Sequence, residues 1–104
     1  MAARHFNLTL AAAAQRLSVV YANPAIGGPD DIPYRQLFFS AAGAVAYVGD
    51  DADVSTTDYG VRVEVAAAGD YPIVIGSFDT GPLKLSNFWA AGAGSTLHIL
   101  GIPF

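Results

Sequence analysis

Asp79-Thr80-Gly81-Pro82-Leu83-Lys84-Leu85-Ser86-Asn87-Phe88-Trp89-Ala90-Ala91-Gly92-Ala93-Gly94-Ser95-Thr96-Leu97-His98-Ile99-Leu100 is the stretch whose reading decides the fold. It divides into short strand-like runs, each ended by a turn, with no nucleophile, metal cluster or phosphate loop between them. Working upstream, Val61-Arg62-Val63-Glu64-Val65 gives the cleanest alternation in the chain, apolar on one face and charged on the other, so one face of that strand is wet. Tyr71-Pro72-Ile73-Val74-Ile75-Gly76-Ser77-Phe78 reads as a further strand, with Pro72 suited to a strand start or an edge.

The same pattern continues toward the N-terminus. Phe6-Asn7-Leu8-Thr9-Leu10 and Leu17-Ser18-Val19-Val20-Tyr21 read as strands, and the intervening Ala11 to Arg16 reads as a connection, because six residues cannot nucleate an isolated helix. Asn23 to Pro33 holds three prolines and two glycines and must be a loop. Tyr34 to Ser40 and Ala44 to Gly49 are strand-like runs split by Ala41-Ala42-Gly43, which suggests a hairpin, and Gly92-Ala93-Gly94 suggests another hairpin turn. About eight short strands without a convincing amphipathic helix predict an all-β, single-domain antiparallel β-sandwich or jelly-roll-like barrel spanning residues 1–104.

Composition narrows the function classes. With 104 residues the chain closes one hydrophobic core, and its charged fraction of 13% lies well below the usual quarter, so part of the surface is expected to be covered by something else. Every apolar stretch is interrupted before the roughly 18 residues a membrane span needs, and residues 6–10 alternate where a secretory signal would be continuously apolar. The absence of cysteine rules out disulfides and thiolate metal sites, and a reducing cytoplasm is the simplest compartment of synthesis. The net charge is -4, and the basic residues Arg4, Arg16, Arg35, Arg62 and Lys84 are scattered, so no nucleic-acid interface is expected.

Candidate chemistry is sparse. Asp50, Asp51, Asp53, Ser55 and Asp58 gather oxygen ligands in one loop, but the glycine and closing glutamate of a calcium-binding loop are replaced by Thr56 and Arg62, so a solvated turn is favoured over a metal site. His5 and His98, the two histidines, have no cysteine near them and make a weak zinc case. No serine lies in a Gly-x-Ser-x-Gly elbow, and Gly92-Ala93-Gly94 has no following lysine or helix to hold a phosphate. Neither a catalytic residue nor a cofactor or metal site is expected.

The aromatics are more informative. Phe38-Phe39 and Phe88-Trp89 are adjacent pairs, and neighbours on a strand face opposite sides, so one member of each pair faces outward or toward a second sheet. Phe38, Phe39, Phe88 and Trp89, with the apolar tail Ile102-Pro103-Phe104, form the candidate interface, the tail being expected to dock on a neighbouring molecule.

From Arg35 to Leu100 the order of elements resembles a family of small bacteriophage virion proteins, β-sandwich modules that decorate or cement capsids or serve in other particle parts. The resemblance is carried by Tyr47-Val48-Gly49, the Asp50 to Asp58 turn, Ala68-Gly69-Asp70, the apolar Ile73 to Ile75, the step Leu85, Asn87, Phe88 and Trp89, the Gly92 to Gly94 turn and the closing Thr96 to Leu100. It covers about two thirds of the chain. It implies a non-enzymatic structural protein that is made in the host cytoplasm and resides in the virion, a homo-oligomer whose partners are the major capsid protein or other virion proteins. A neck, tail or fibre-anchoring subunit is the nearest alternative. A carbohydrate-binding sandwich using Trp89, Tyr59 and Tyr71 as stacking platforms is the alternative from another class, and a cupin-like enzyme is disfavoured by the lack of a histidine cluster.

Overall fold

Period-two alternation becomes strand wherever one face can be buried. The computed structural model describes residues 4–17, 33–67, 72–76 and 82–103. Within them run β1 (Arg4–Thr9), β2 (Gln15–Arg16), β3 (Tyr34–Ala42), β4 (Ala46–Gly49), β5 (Val61–Val63), β6 (Ile73–Ile75), β7 (Trp89–Ala91) and β8 (Thr96–Pro103), with a single 3-10 turn at Leu85–Asn87 before β7. Two four-stranded antiparallel sheets result, sheet A in the order β1-β8-β3-β6 and sheet B in the order β2-β7-β4-β5. The all-β sandwich expected from the alternation is therefore the observed fold.

The pairing follows a simple rule. β4 pairs with β5, β3 with β6, β2 with β7 and β1 with β8, so the chain is one long hairpin, tipped by the β4–β5 loop, rolled until its strands alternate between two sheets. The lateral pairs β3–β8 and β4–β7 then close each sheet. This is the jelly-roll arrangement.

That topology corrects both hairpins expected from the glycine turns. β3 and β4 lie in different sheets, as do β7 and β8, so Gly43 and the Gly92 to Gly94 segment carry the chain over the end of the sandwich. Both corners need glycine: Gly43 and Gly94 have φ of +84° and +80°, and a Cβ on Gly43 would come within 2.7 Å of the Gly94 carbonyl oxygen. The Ala11 to Arg16 connection is also shorter than expected, because Gln15 and Arg16 pair with Ala90 and Trp89 as β2. Leu17 is buried, and the remainder of the strand expected to Tyr21 lies outside the described residues, as does the Asn23 to Pro33 loop except for exposed Pro33.

Between the sheets lies one core. Phe6, Leu8, Tyr34, Leu37, Phe39, Leu97 and Ile99 enter it from sheet A, Ala46, Val48, Val63 and Ala90 from sheet B, and Leu85 from the 3-10 turn. A register shift between Tyr34 and Gln36 decides how β3 contributes. It inserts one extra residue, so Tyr34 joins the same inner face as Leu37, Phe39 and Ala41 despite the even spacing to Gln36. The Tyr34 ring lies edge-on to Phe6, 6.5 Å between centroids, and covers Gly101, where any side chain would collide with it. The Cα radius of gyration, 12.7 Å, is that of one domain of this length, about 13 Å.

Candidate functional site

With the inner faces committed to the core, any interaction surface must come from the outer faces and the sheet edges. On sheet A, register places His5, Leu100, Phe38 and Val74 side by side across all four strands. Leu100 is 40% and Val74 48% exposed, and Phe38 is half-buried between them. One step along, Asn7, His98 and Ser40 form a polar row, and the imidazole Nδ1 of His98 lies 2.7 Å from Asn7 Oδ1. Asn7 Oδ1 can only accept, so Nδ1 carries the hydrogen of that bond and Nε2 is left as the imidazole's second site. The two rows border a shallow depression of about 350 Å³, closed at one end by Pro72. The row His5, Leu100, Phe38 and Val74 carries no Asp, Glu, Lys or Arg; the charged residue of β3, Arg35, lies at the register shift between Tyr34 and Gln36.

Sheet B presents a different outer face. The Arg16 guanidinium lies 5.2 Å from the centre of the Trp89 ring, on the register pair Arg16–Trp89. Tyr47 and Tyr59 pack as a tilted pair at 5.1 Å, and Arg62 Nε meets Glu64 Oε1 at 2.8 Å. Trp89, Tyr47 and Arg62 are thus each matched by a neighbour in the same chain.

The candidate interface residues therefore separate. Phe38 and Ile102 lie on the outer face of sheet A and Trp89 on that of sheet B, all half-buried. Phe39 is a correction, fully buried in the core and edge-on to Phe88 at 6.4 Å; adjacent aromatics on β3 do face opposite sides, and the core takes Phe39. Phe88 is half-buried and packs against the core. The tail is corrected as well: Ile102 and Pro103 are the end of β8, in register with Gln36 and Tyr34, so they dock on their own chain and Pro103 is buried. Phe104 lies outside the described residues. Leu100 and Val74 were missed, although the alternation Thr96-Leu97-His98-Ile99-Leu100 already sets Leu100 on the face opposite Leu97 and Ile99.

The acidic loop folds on itself. Ser55 Oγ accepts hydrogen bonds from the backbone N–H of Thr57 and Asp58, and Asp51 Oδ1 accepts one from the N–H of Asp53 at 2.9 Å. These are the local side-chain turns that stabilise a solvated loop. Among the described residues no three His, Asp or Glu side chains cluster closely enough to share a metal ion. Two smaller cavities of about 260 Å³ lie on the open side of the sandwich between β5 and β6, one against Phe39 and Ile73, the other against Phe88 and Ile75.

Fold and surface together define a small jelly-roll domain with an apolar row on the outer face of one sheet and internally paired side chains on that of the other. Among known proteins, the chain matches no family model, and no curated protein or solved structure is significantly similar to it.

Proposed function

We propose that the chain is a non-enzymatic structural protein of a bacteriophage particle, a capsid decoration or cement subunit that binds the assembled shell through the outer face of sheet A. The observation that carries this reading is the row Leu100, Phe38 and Val74, in register across three strands and free of formal charge. A contiguous apolar band of this kind is what a protein interface buries. The low charged fraction and the order of elements from Arg35 to Leu100, which resembles virion β-sandwich modules, support the same reading. The partner is the major capsid protein, and the subunit acts as a small homo-oligomer bridging neighbouring capsomers. It is made in the host cytoplasm and resides in the virion.

The mechanism is linkage. A subunit that binds only the assembled lattice adds RT ln(1 + [L]/Kd) per site, about 2.7 kcal/mol when its free concentration is about 100 times Kd, and so opposes disassembly. Particles assembled without the protein should form normally but release their genome at lower temperature or osmotic stress, and adding the purified protein back should restore the difference. Equal robustness with and without it would remove the cementing role. Copy number then separates the neck, tail and fibre-anchoring alternative, which needs one ring where decoration needs hundreds of copies. The carbohydrate-binding alternative loses its main platform, since Arg16 already occupies the Trp89 ring.

A further inference from the structure

A sheet that ends in an unpaired strand exposes a row of backbone N–H and C=O groups, and proteins usually blunt such edges by shortness, proline or charge. Among the described residues four strands stand at an edge: β1 and β6 in sheet A, β2 and β5 in sheet B. Three carry such protection. β2 has two residues, one of them Arg16; β5 has three, with Arg62 at its centre and Glu64 beside it; β6 has three and follows Pro72. β1 is the least protected of the four, its one Lys, Arg, Asp or Glu being Arg4 at its first position. It has six residues, about 20 Å of edge, no proline and no register shift, and from His5 to Thr9 no Asp, Glu, Lys or Arg.

The orientation of its backbone can be read from the ladder. Leu10 donates its N–H to Ser95 O at 2.9 Å, one step beyond the Thr9–Thr96 pair, so the even-numbered residues of β1 turn their hydrogen-bonding groups toward β8. His5, Asn7 and Thr9 therefore turn theirs toward the open edge. Their side chains lie on the outer face, while Phe6 and Leu8 enter the core.

We propose that β1 pairs antiparallel with β1 of a second copy about a two-fold axis at Asn7, joining two four-stranded sheets into one of eight strands. The register is fixed by two requirements. Outward residues must meet outward residues, and the residues with free backbone groups must face each other. Centring on Asn7 meets both: Asn7 opposes the partner's Asn7, His5 opposes the partner's Thr9, and Phe6 opposes the partner's Leu8 on the core side. Every edge-facing N–H and C=O of His5, Asn7 and Thr9 then gains a mate, and no like charges are opposed. A second copy is the occupant because the segment is complementary to itself in sequence, polarity and hydrogen-bonding phase, as an isologous contact demands. The inference deepens the homo-oligomer part of the proposed function and does not depend on binding to a shell.

The test uses the free, full-length protein. Sedimentation equilibrium from about 1 µM to about 1 mM should show a reversible dimer. Asn7→Lys, which places two ammonium groups against each other on an exposed position, should weaken dimerisation at least about tenfold with an unchanged circular dichroism spectrum. The chain has no cysteine, so single replacements report the register directly. Under mild oxidation Asn7→Cys should crosslink to a covalent dimer, since opposed hydrogen-bonded residues have Cα atoms about 5.5 Å apart, whereas Thr9→Cys should remain monomeric on a non-reducing gel. Wild-type protein that stays monomeric across the range overturns the proposal. So does a dimer in which Asn7→Cys fails to crosslink, or in which Thr9→Cys crosslinks equally well; these two readouts stand even if Asn7→Lys does not fold. Shell binding is absent from all of these measurements, so their failure and that of the cementing role are separable.

Discussion

The outer faces of the two sheets are built on the same backbone pattern yet dispose of their large side chains differently. On sheet B, Trp89 lies under Arg16, Tyr47 against Tyr59, and Arg62 against Glu64, so aromatic and charged groups are already matched within the chain. On sheet A, Leu100 and Val74 stand 40% and 48% exposed on either side of Phe38, with His5 and the hydrogen-bonded His98–Asn7 pair beside them. Burying the sheet A row would remove apolar surface from water at a gain of about 25 cal/mol per Å² without stripping any charge of its hydration. Burying sheet B would desolvate Arg16, Arg62 and Glu64. Composition alone would have ranked the faces the other way, since Trp, Tyr and Arg are the residues that most often dominate binding energy. The difference teaches that a hot-spot residue already stacked by its own chain is less available than a plain leucine.

The largest effect expected from breaking this contrast lies inside β3, where adjacent phenylalanines serve different ends. Phe39→Ala should lower folding stability by about 3–5 kcal/mol, because it opens a cavity beneath Phe88 in the shared core. Phe38→Ala should cost about 1 kcal/mol and leave a cooperative transition. Urea denaturation of both variants measures the difference, and equal losses would mean that the outer row is as structural as the core. Deleting residues 102–104 belongs with the severe changes, since Ile102 and Pro103 complete the β3–β8 ladder. Loss of the native transition is the expected outcome, so shell binding by that variant would report on folding and not on attachment.

Next in size is the direct test of sheet A as the attachment face. Leu100→Glu introduces a charge at one end of the apolar row on a side chain already open to solvent, so stability should change little. Binding to empty shells should weaken at least about tenfold, equivalent to about 1.4 kcal/mol, measured by co-sedimentation. Undiminished binding would move attachment off this face.

How much of this contrast was legible beforehand depends on the range of the interaction involved. Alternation is a local signal, so β1, β3, β5 and β8 could be read from residues two apart, and the opposition of Phe38 to Phe39 follows from the pleat alone. Partner choice is not local. Gly43 and Gly94 advertise a turn through their left-handed backbone, but the same turn serves a hairpin or a sheet-to-sheet corner, and only the demand that β3 find β8, more than fifty residues away, selects the corner. The tail was misread for a related reason. Ile102 and Pro103 look unattached until the register shift at β3 brings Gln36 and Tyr34 opposite them. Leu100 was hidden by its own hydrophobicity, which suggests core where its parity with Thr96 and His98 places it outside. The capping of Trp89 by Arg16 depends on the pairing of β2 with β7, across more than seventy residues, and no spacing in the chain signals it.

Sheet B should respond more mildly. Arg16→Ala removes the guanidinium over Trp89, an exposed contact worth about 0.5–1 kcal/mol, so the melting temperature should fall by a few degrees while shell binding stays unchanged. A marked loss of binding would show that sheet B also touches the shell and would collapse the distinction between the faces. If the Arg16→Ala protein instead gained affinity for neutral sugars, the uncovered Trp89 ring would be a stacking platform held shut by its neighbour.

The smallest effect concerns the corner that holds both sheets together. Ser95 is buried, its N–H bonds Gly92 O and its carbonyl accepts from Leu10, but its Oγ has no hydrogen-bond partner among the described residues. A buried hydroxyl without a mate costs desolvation and returns nothing, so Ser95→Ala should leave stability unchanged within about 0.5 kcal/mol or raise it slightly. The backbone bonds that join the β7–β8 corner to the end of β1 are untouched by the change. Denaturant midpoints of the two proteins decide the matter. A loss beyond about 1 kcal/mol would mean that the hydroxyl is engaged after all, and that the corner depends on side-chain bonding as well as on the backbone bonds from Leu10 and Gly92.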